Sequence, residues 1–417
     1  MKMSKMSWIL GGVFLLTVFL VGCEKEEFIE DSAIEESVDS QGEIAHGEFK
    51  SYPIEGQYIV EFREDFGNTL MSPSENYKQG ILQLKDRIVK EFPKVKMVNE
   101  GIYQAYGHAV RGFAGKLNPE QLALLKADKR VKNIEQDHMI ILVKPDKPGK
   151  PGNGDGDDTE APAQDTPWGI TRIGGTTDGT GLRAWIIDSG IDMDHPDLNV
   201  DQTNSISFLV GGSPSNASPN DQNGHGTHVA GTVAAKNNSF GVVGVAAGAK
   251  VVAVRVLDRK GSGTWSGVIA GVNYVAANGV NGEVANMSLG GGISTTLDAA
   301  VLTASANVKF AIAAGNSGSN ANNYSPARVN GPNIYTVSAM SVGDNWASFS
   351  NYGNPPIEYC APGVAIKSTW KNGGYNTISG TSMAAPHVCG LLLLGTVTTS
   401  GTVNGDPDLN PDPIAHN

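Results

Sequence analysis

Apolar and polar positions divide the chain into stretches of different period. Lys2 and Lys5 precede an apolar run over residues 8–21, shorter than the roughly 20 apolar residues that a spanning helix needs. Basic flank first and short apolar run second predict an export signal over residues 1–22. Residues 23–56 are polar and acidic without a sustained period and predict a tether. From residue 57 the pattern changes. Residues 58–62, 112–117 and 131–138 read as strands and residues 77–92 as an amphipathic helix, with one more strand poorly defined within 101–110. Asn118 can cap a second helix, with Pro119 at its first position and Leu122 and Leu125 on one face. Residues 144–162 are Lys, Pro, Gly and Asp without an apolar run, which predicts an exposed linker between a domain over 57–143 and another over 163–417. In the second domain short apolar strands (182–187, 250–257, 284–288, 308–313, 334–339) alternate with helical stretches (226–235, 267–277, 297–307, 382–394). That alternation predicts an α/β domain with a parallel sheet covered on both faces, and function beyond the carboxyl ends of its strands.

Composition narrows the function classes. The 417 residues include 52 glycines, which suits tight turns and backbone close to ligand, and the net charge of −12 leaves no basic footprint for nucleic acid.

The candidate chemistry centres on Ser379-Gly380-Thr381-Ser382-Met383-Ala384-Ala385-Pro386-His387-Val388, a small-residue turn entering an apolar helix. Ser382 as a nucleophile needs a base, a group orienting that base, and donors for the developing oxyanion. Upstream segments offer all three. Asp188 ends the apolar run Ala184-Trp185-Ile186-Ile187. His225 lies in Asn223-Gly224-His225-Gly226-Thr227-His228-Val229-Ala230-Gly231. Asn316 follows a strand in Ala313-Ala314-Gly315-Asn316-Ser317-Gly318. His225 and His228 lack a third metal ligand at familiar spacing, and His228 reads as a packed or orienting histidine.

In that chain order these segments resemble the subtilisin family of serine proteases. The resemblance implies a three-layer, parallel-sheet catalytic domain preceded by a small α+β, ferredoxin-like propeptide that inhibits it, with Ile134-Glu135-Gln136-Asp137 at the propeptide's end. It implies Ser382, His225 and Asp188 as a triad, Asn316 as oxyanion donor, and Ser288-Leu289-Gly290 with Ala313-Ala314-Gly315 around an extended peptide and an apolar or aromatic side chain. It implies structural Ca²⁺ held by Gln164, Asp197, Asn238 and carbonyls of Lys236, Phe240 and Val242, and Glu358 at a weaker cation site. Asn323-Tyr324-Ser325-Pro326 is closer to the proteinase K branch. Leu20-Val21-Gly22-Cys23 resembles a bacterial lipoprotein box, implying a precursor anchored through acylated Cys23. The expected partners are polypeptide substrates, the chain's own propeptide and a membrane, with a monomeric mature enzyme. A catalytically inactive surface-binding lipoprotein on the same scaffold is the alternative. A serine esterase is disfavoured because no Gly-x-Ser-x-Gly elbow surrounds Ser382. Cys360 and Cys389 are expected to be buried free thiols, and the Asp/Pro-rich end to replace the last helices of relatives.

Overall fold

The computed structural model describes residues 50–70, 76–142, 163–395 and 397–417. The export signal, Cys23 and the linker lie outside the described residues.

The first domain is built on β1 (Lys50–Phe62), α1 (Tyr77–Glu91), β2 (Ile102–Gly107), β3 (Arg111–Lys116), α2 (Pro119–Lys126) and β4 (Val131–Ile141), with a further short helix, Glu64–Leu70, between β1 and α1. Asn118 and Gln121 close the start of α2 as a capping box, each side chain taking the other's backbone N–H. Val60, Phe62, Leu84, Ile88, Phe92 and Phe113 form the core between sheet and helices. Residues 50–56, expected in the tether, instead begin β1. They lack a clear period because Pro53 and Gly56 interrupt it, and they become strand by pairing with the end of β4.

The second domain is built on β5 (Arg183–Asp188), α3 (His225–Ala234), β6 (Lys250–Arg255), β7 (Ser262–Thr264), α4 (Trp265–Asn278), β8 (Val284–Met287), α5 (Thr295–Ala304), β9 (Lys309–Ala313), β10 (Ile334–Ser341), β11 (Ile357–Pro362), the hairpin β12 (Ile366–Trp370) and β13 (Gly374–Ile378), α6 (Thr381–Leu394), β14 (Thr398–Thr402) and β15 (Pro413–His416). The sheet order is β14-β15-β11-β10-β9-β8-β5-β6, parallel from β15 to β6. Alternation along β5 sorts its side chains to two faces. Ala184 and Ile186 meet Val229, Val233 and Val388 of α3 and α6, while Trp185 and Ile187 meet Val268, Val272 and Val301 of α4 and α5. These are the three layers. Among the described residues no helix follows α6; β15 instead pairs parallel with β11, Ile414 opposite Cys360, and β14 closes that edge antiparallel to it. Cys360 and Cys389 are both buried and free, and burial pushes each thiol well up.

Candidate active site

Asp188 closes β5, its backbone carbonyl accepting from Val256 and Leu257 of the next strand's end. Its carboxylate is fully buried and accepts from the Ser189 N–H at 2.6 Å. His225 Nδ1 faces both carboxylate oxygens at 2.8 and 2.9 Å. His225 is the first residue of α3, and its position depends on glycine on both sides. Gly224 has φ 112°, and a Cβ there would run into the Trp370 ring; a Cβ on Gly226 would strike the Gly190 carbonyl. Burial opposes the imidazolium, but the charge and hydrogen bond of Asp188 outweigh it, so the pKa of His225 is displaced upward.

Asp221, absent from the residues expected at the site, positions this helix. Oδ1 accepts from Ser189 Oγ, Asn223 N and Gly224 N at 3.0, 2.8 and 2.9 Å, and Oδ2 from Thr227 N and Oγ1 at 3.0 and 2.6 Å. A buried carboxylate at a helix start is stabilised by these donors and by the helix dipole. The clue was a lone Asp just before a Gly-His-Gly stretch. His228, one turn on, is neutral: burial pulls its pKa down to about 3, and Nε2 lies 2.9 Å from the Ile366 carbonyl.

Ser382 is the second residue of α6, behind Gly380 at φ 152°. Its hydroxyl donates to the Ser288 carbonyl at 3.2 Å, while Ser288 Oγ donates to the Ser382 carbonyl at 2.8 Å. Among the described residues no hydrogen bond joins Ser382 to His225; the hydroxyl is engaged by the Ser288 carbonyl instead. Asn316 Oδ1 accepts from Thr381 N at 2.8 Å and from Thr381 Oγ1 at 2.9 Å. Both bonds fix the amide plane and leave Nδ2 to donate elsewhere. Gly315 N donates to the same threonine hydroxyl at 3.1 Å, which ties Gly315 to the start of α6, while the Ala314 carbonyl accepts from Asn351 Nδ2 at 2.9 Å.

The end of β4 lies on this domain. Met139, Ile140 and Ile141 pair antiparallel with Thr264, Gly263 and Ser262 of β7, and Leu142 N donates to the Gly261 carbonyl at 2.8 Å. Ile140 is almost wholly buried against Trp265 and Gly291, where a Cβ on Gly291 would crowd both. β7 was missed from sequence because Gly261-Ser262-Gly263 has the composition of a turn. Among the described residues Ser288-Leu289-Gly290 does not pair with the tail; the tail's second edge pairs with β1. Two carboxylates just upstream bind helix starts. Glu135 accepts from Ser294 Oγ at 2.6 Å and Thr295 N at 3.1 Å at α5, and Asp137 from Ser266 N at 3.1 Å at α4. Asn273 of α4 returns the contact, its Oδ1 accepting from His108 N and Ala109 N at 3.0 and 3.1 Å.

The residues expected at calcium also meet. The fully buried Asp197 carboxylate accepts from Asn238 Nδ2 at 2.7 Å, Val242 N at 3.0 Å and the Tyr375 hydroxyl at 3.2 Å, all uncharged donors. Gln164 Oε1 accepts from Asn238 N, and a Cβ on Gly241, at φ 74°, would collide with Asp197 and Tyr375. Lys236 sends its ammonium to the Pro196 carbonyl at 2.7 Å, leaving the carboxylate without that charge. One carboxylate, two side-chain amides and the carbonyls of Lys236, Phe240 and Val242 are an all-oxygen set that fits Ca²⁺. Asn238 presents its nitrogen to Asp197, so holding an ion through its oxygen would require that amide to turn over. Glu358 is engaged otherwise, accepting from Thr336 N at 2.6 Å, with burial pushing its pKa up to about 8.

Residues 179–396 match the subtilase family, and residues 57–142 match peptidase inhibitor I9, a match that begins after Lys50–Gly56. Alkaline serine exoprotease A of Vibrio alginolyticus is 40% identical over 358 residues, 82% of this chain and 60% of that protein. Subtilisin-like serine protease AsES of Sarocladium strictum is 39% identical over 346 residues, covering 75% and 81%. A cuticle-degrading protease of Metarhizium anisopliae is 39% identical over 303 residues, covering 69% and 71%. The chain thus spans less than two thirds of the Vibrio protein and more than two thirds of the two fungal ones.

Proposed function

This chain belongs to the subtilase family, and we propose that it is an exported serine endopeptidase made as a precursor that its own first domain inhibits. The observation that carries this reading is the buried His225–Asp188 pair at the carboxyl end of the sheet, beside a cleft whose binding edge, β7, already holds an extended segment of the same chain. Ser382 attacks the peptide carbonyl while His225 takes its proton. Asp188 holds the imidazole with Nε2 free as base and stabilises the imidazolium. Asn316 Nδ2, with the backbone N–H of Ser382 at its helix start, meets the oxyanion; loss of one such donor typically lowers turnover by ~10² to 10³, the drop expected of Asn316→Ala. His225 then protonates the leaving amine, and water releases the acyl group by the same steps in reverse. Substrates add as a strand to β7, and an apolar side chain takes the place of Ile140 against Trp265. Incubating the purified chain with casein and a serine-directed sulfonyl fluoride tests the reading. Cleavage that the reagent stops supports it, and cleavage indifferent to the reagent contradicts it.

Ca²⁺ belongs to the same proposal as a structural ion, supplying positive charge at Asp197 and tying residues 164 and 236–242 together. Chelation is expected to lower Tm by about 10 °C, and Asp197→Asn to erase that shift; an unchanged Tm on chelation speaks against the ion. The mature enzyme is proposed to act as a monomer, released from a precursor anchored through Cys23. Labelled palmitate should then mark the precursor band and be missing from the active band.

A further inference from the structure

β1 begins seven residues before the inhibitor match, and this early part pairs with the tail of β4. Lys50, Ser51, Tyr52 and Pro53 lie opposite Ile141, Ile140, Met139 and His138. The same tail residues lie opposite Ser262, Gly263 and Thr264 on their other side. Met139, Ile140 and Ile141 are therefore central in a sheet, with the catalytic domain along one edge and Lys50–Tyr52 along the other. N–H groups alternate sides along a strand. Because Leu142 N points to Gly261 of the catalytic domain, the N–H groups of Met139 and Ile141 point to β1.

The register of this pairing is specified by side chains. Between Pro53 and Tyr58 β1 bulges, and Gly56 there adopts φ 69°. Gln57 Nε2 donates to Asp137 at 2.6 Å and Gln136 Nε2 donates to the Ile54 carbonyl at 3.1 Å, holding the bulge from both strands. Asp137 is the carboxylate that also binds the start of α4. Pro53 sits where alternation turns its nitrogen away from β4, so the missing N–H removes no ladder bond. Ser51 reaches the catalytic domain, its Oγ accepting from Gly292 N at 3.3 Å.

We infer that Lys50–Pro53 is a clamp strand, a second inhibitory element that pairs with the tail and keeps it extended in the binding cleft after the junction with the catalytic domain is cut. The inference rests on the proposed inhibitory role of the first domain. Without the clamp the tail would present an unpaired edge and lose main-chain bonds that hold it straight, and a tail that must be ordered again binds more weakly.

Two measurements on the full chain test this. In an otherwise unaltered chain, deletion of residues 50–53 is expected to leave junction cleavage intact and to shorten the lag between that cut and casein cleavage at least about tenfold, from the loss of the ladder bonds that Lys50 and Tyr52 share with Ile141 and Met139. An unchanged lag overturns the clamp. A parent chain that never cuts its junction or casein would instead refute the protease reading, so the two failures are distinguishable. In a Ser382→Ala chain, which stays uncut, Tyr52→Pro removes the N–H facing β4 without shortening the chain. Hydrogen exchange at Met139 and Ile141 should then accelerate at least tenfold while Leu142 and the core strand β6 keep their protection. Equal protection at Met139 and Ile141 in parent and variant overturns the inference.

Discussion

Ser382→Ala is expected to abolish casein cleavage and junction cleavage together, with kcat falling about 10⁶-fold. The size of the effect follows from the arrangement of the site. Ser382 is the second residue of α6, where the helix start favours developing negative charge, and its hydroxyl donates to the Ser288 carbonyl. No neighbouring group replaces it: Thr381 Oγ1 is committed to Asn316, and Ser288 Oγ to the Ser382 carbonyl. Asn316 and the cleft remain in the variant, so a residual rate of roughly 10³ to 10⁴ over water is expected. The fold should be unchanged, since the substitution removes one oxygen from a helix start whose placement depends on Gly380 and Thr381. A variant that still processes its own junction would remove Ser382 from the mechanism.

Asp188→Asn is expected to lower kcat by about 10⁴ and to shift its pH dependence. An amide in place of the carboxylate can turn its N–H₂ toward Nδ1 and select the wrong tautomer, leaving Nε2 protonated and useless as a base. The sign of the pH shift follows from what displaces His225. Burial lowers its pKa, and Asp188 raises it by more. With the charge removed, the lowering by burial remains, so His225 becomes neutral at lower pH and the acidic limb of kcat/KM moves to lower pH. A limb that stays in place while the rate falls would mean that another group than His225 controls it.

The chemistry was legible in the sequence because His225 and Ser382 sit close to glycines that the geometry requires. Gly224 and Gly226 flank His225, and Gly380 precedes Ser382, each where a Cβ would collide or strain the backbone. These requirements leave a mark in the local sequence. Contacts between distant segments leave none. Asp221 gathers donors from Ser189, Asn223, Gly224 and Thr227, yet Asn220-Asp221-Gln222-Asn223 reads only as a turn. β7 is strand because β4 arrives beside it, and Lys50–Pro53 is strand for the same reason. Strand β15 was hidden in a proline- and aspartate-rich end, where only Ile414 and Ala415 are apolar and buried. The four helices α3 to α6 and the strands β5, β6, β8, β9 and β10 followed from period, since their burial is local and repeated, whereas β11 did not.

The most direct test of the central claim is the site of covalent modification by a phosphonylating serine reagent, mapped by mass spectrometry on the processed chain and on an Asp188→Asn precursor that retains its first domain. One modified residue, Ser382, is expected in the processed chain, with protection of that residue in the precursor, where the tail lies on β7. Modification at another residue in an active preparation, or equal labelling of Ser382 in both forms after allowance for the variant's slower rate on a small ester, would contradict the claim.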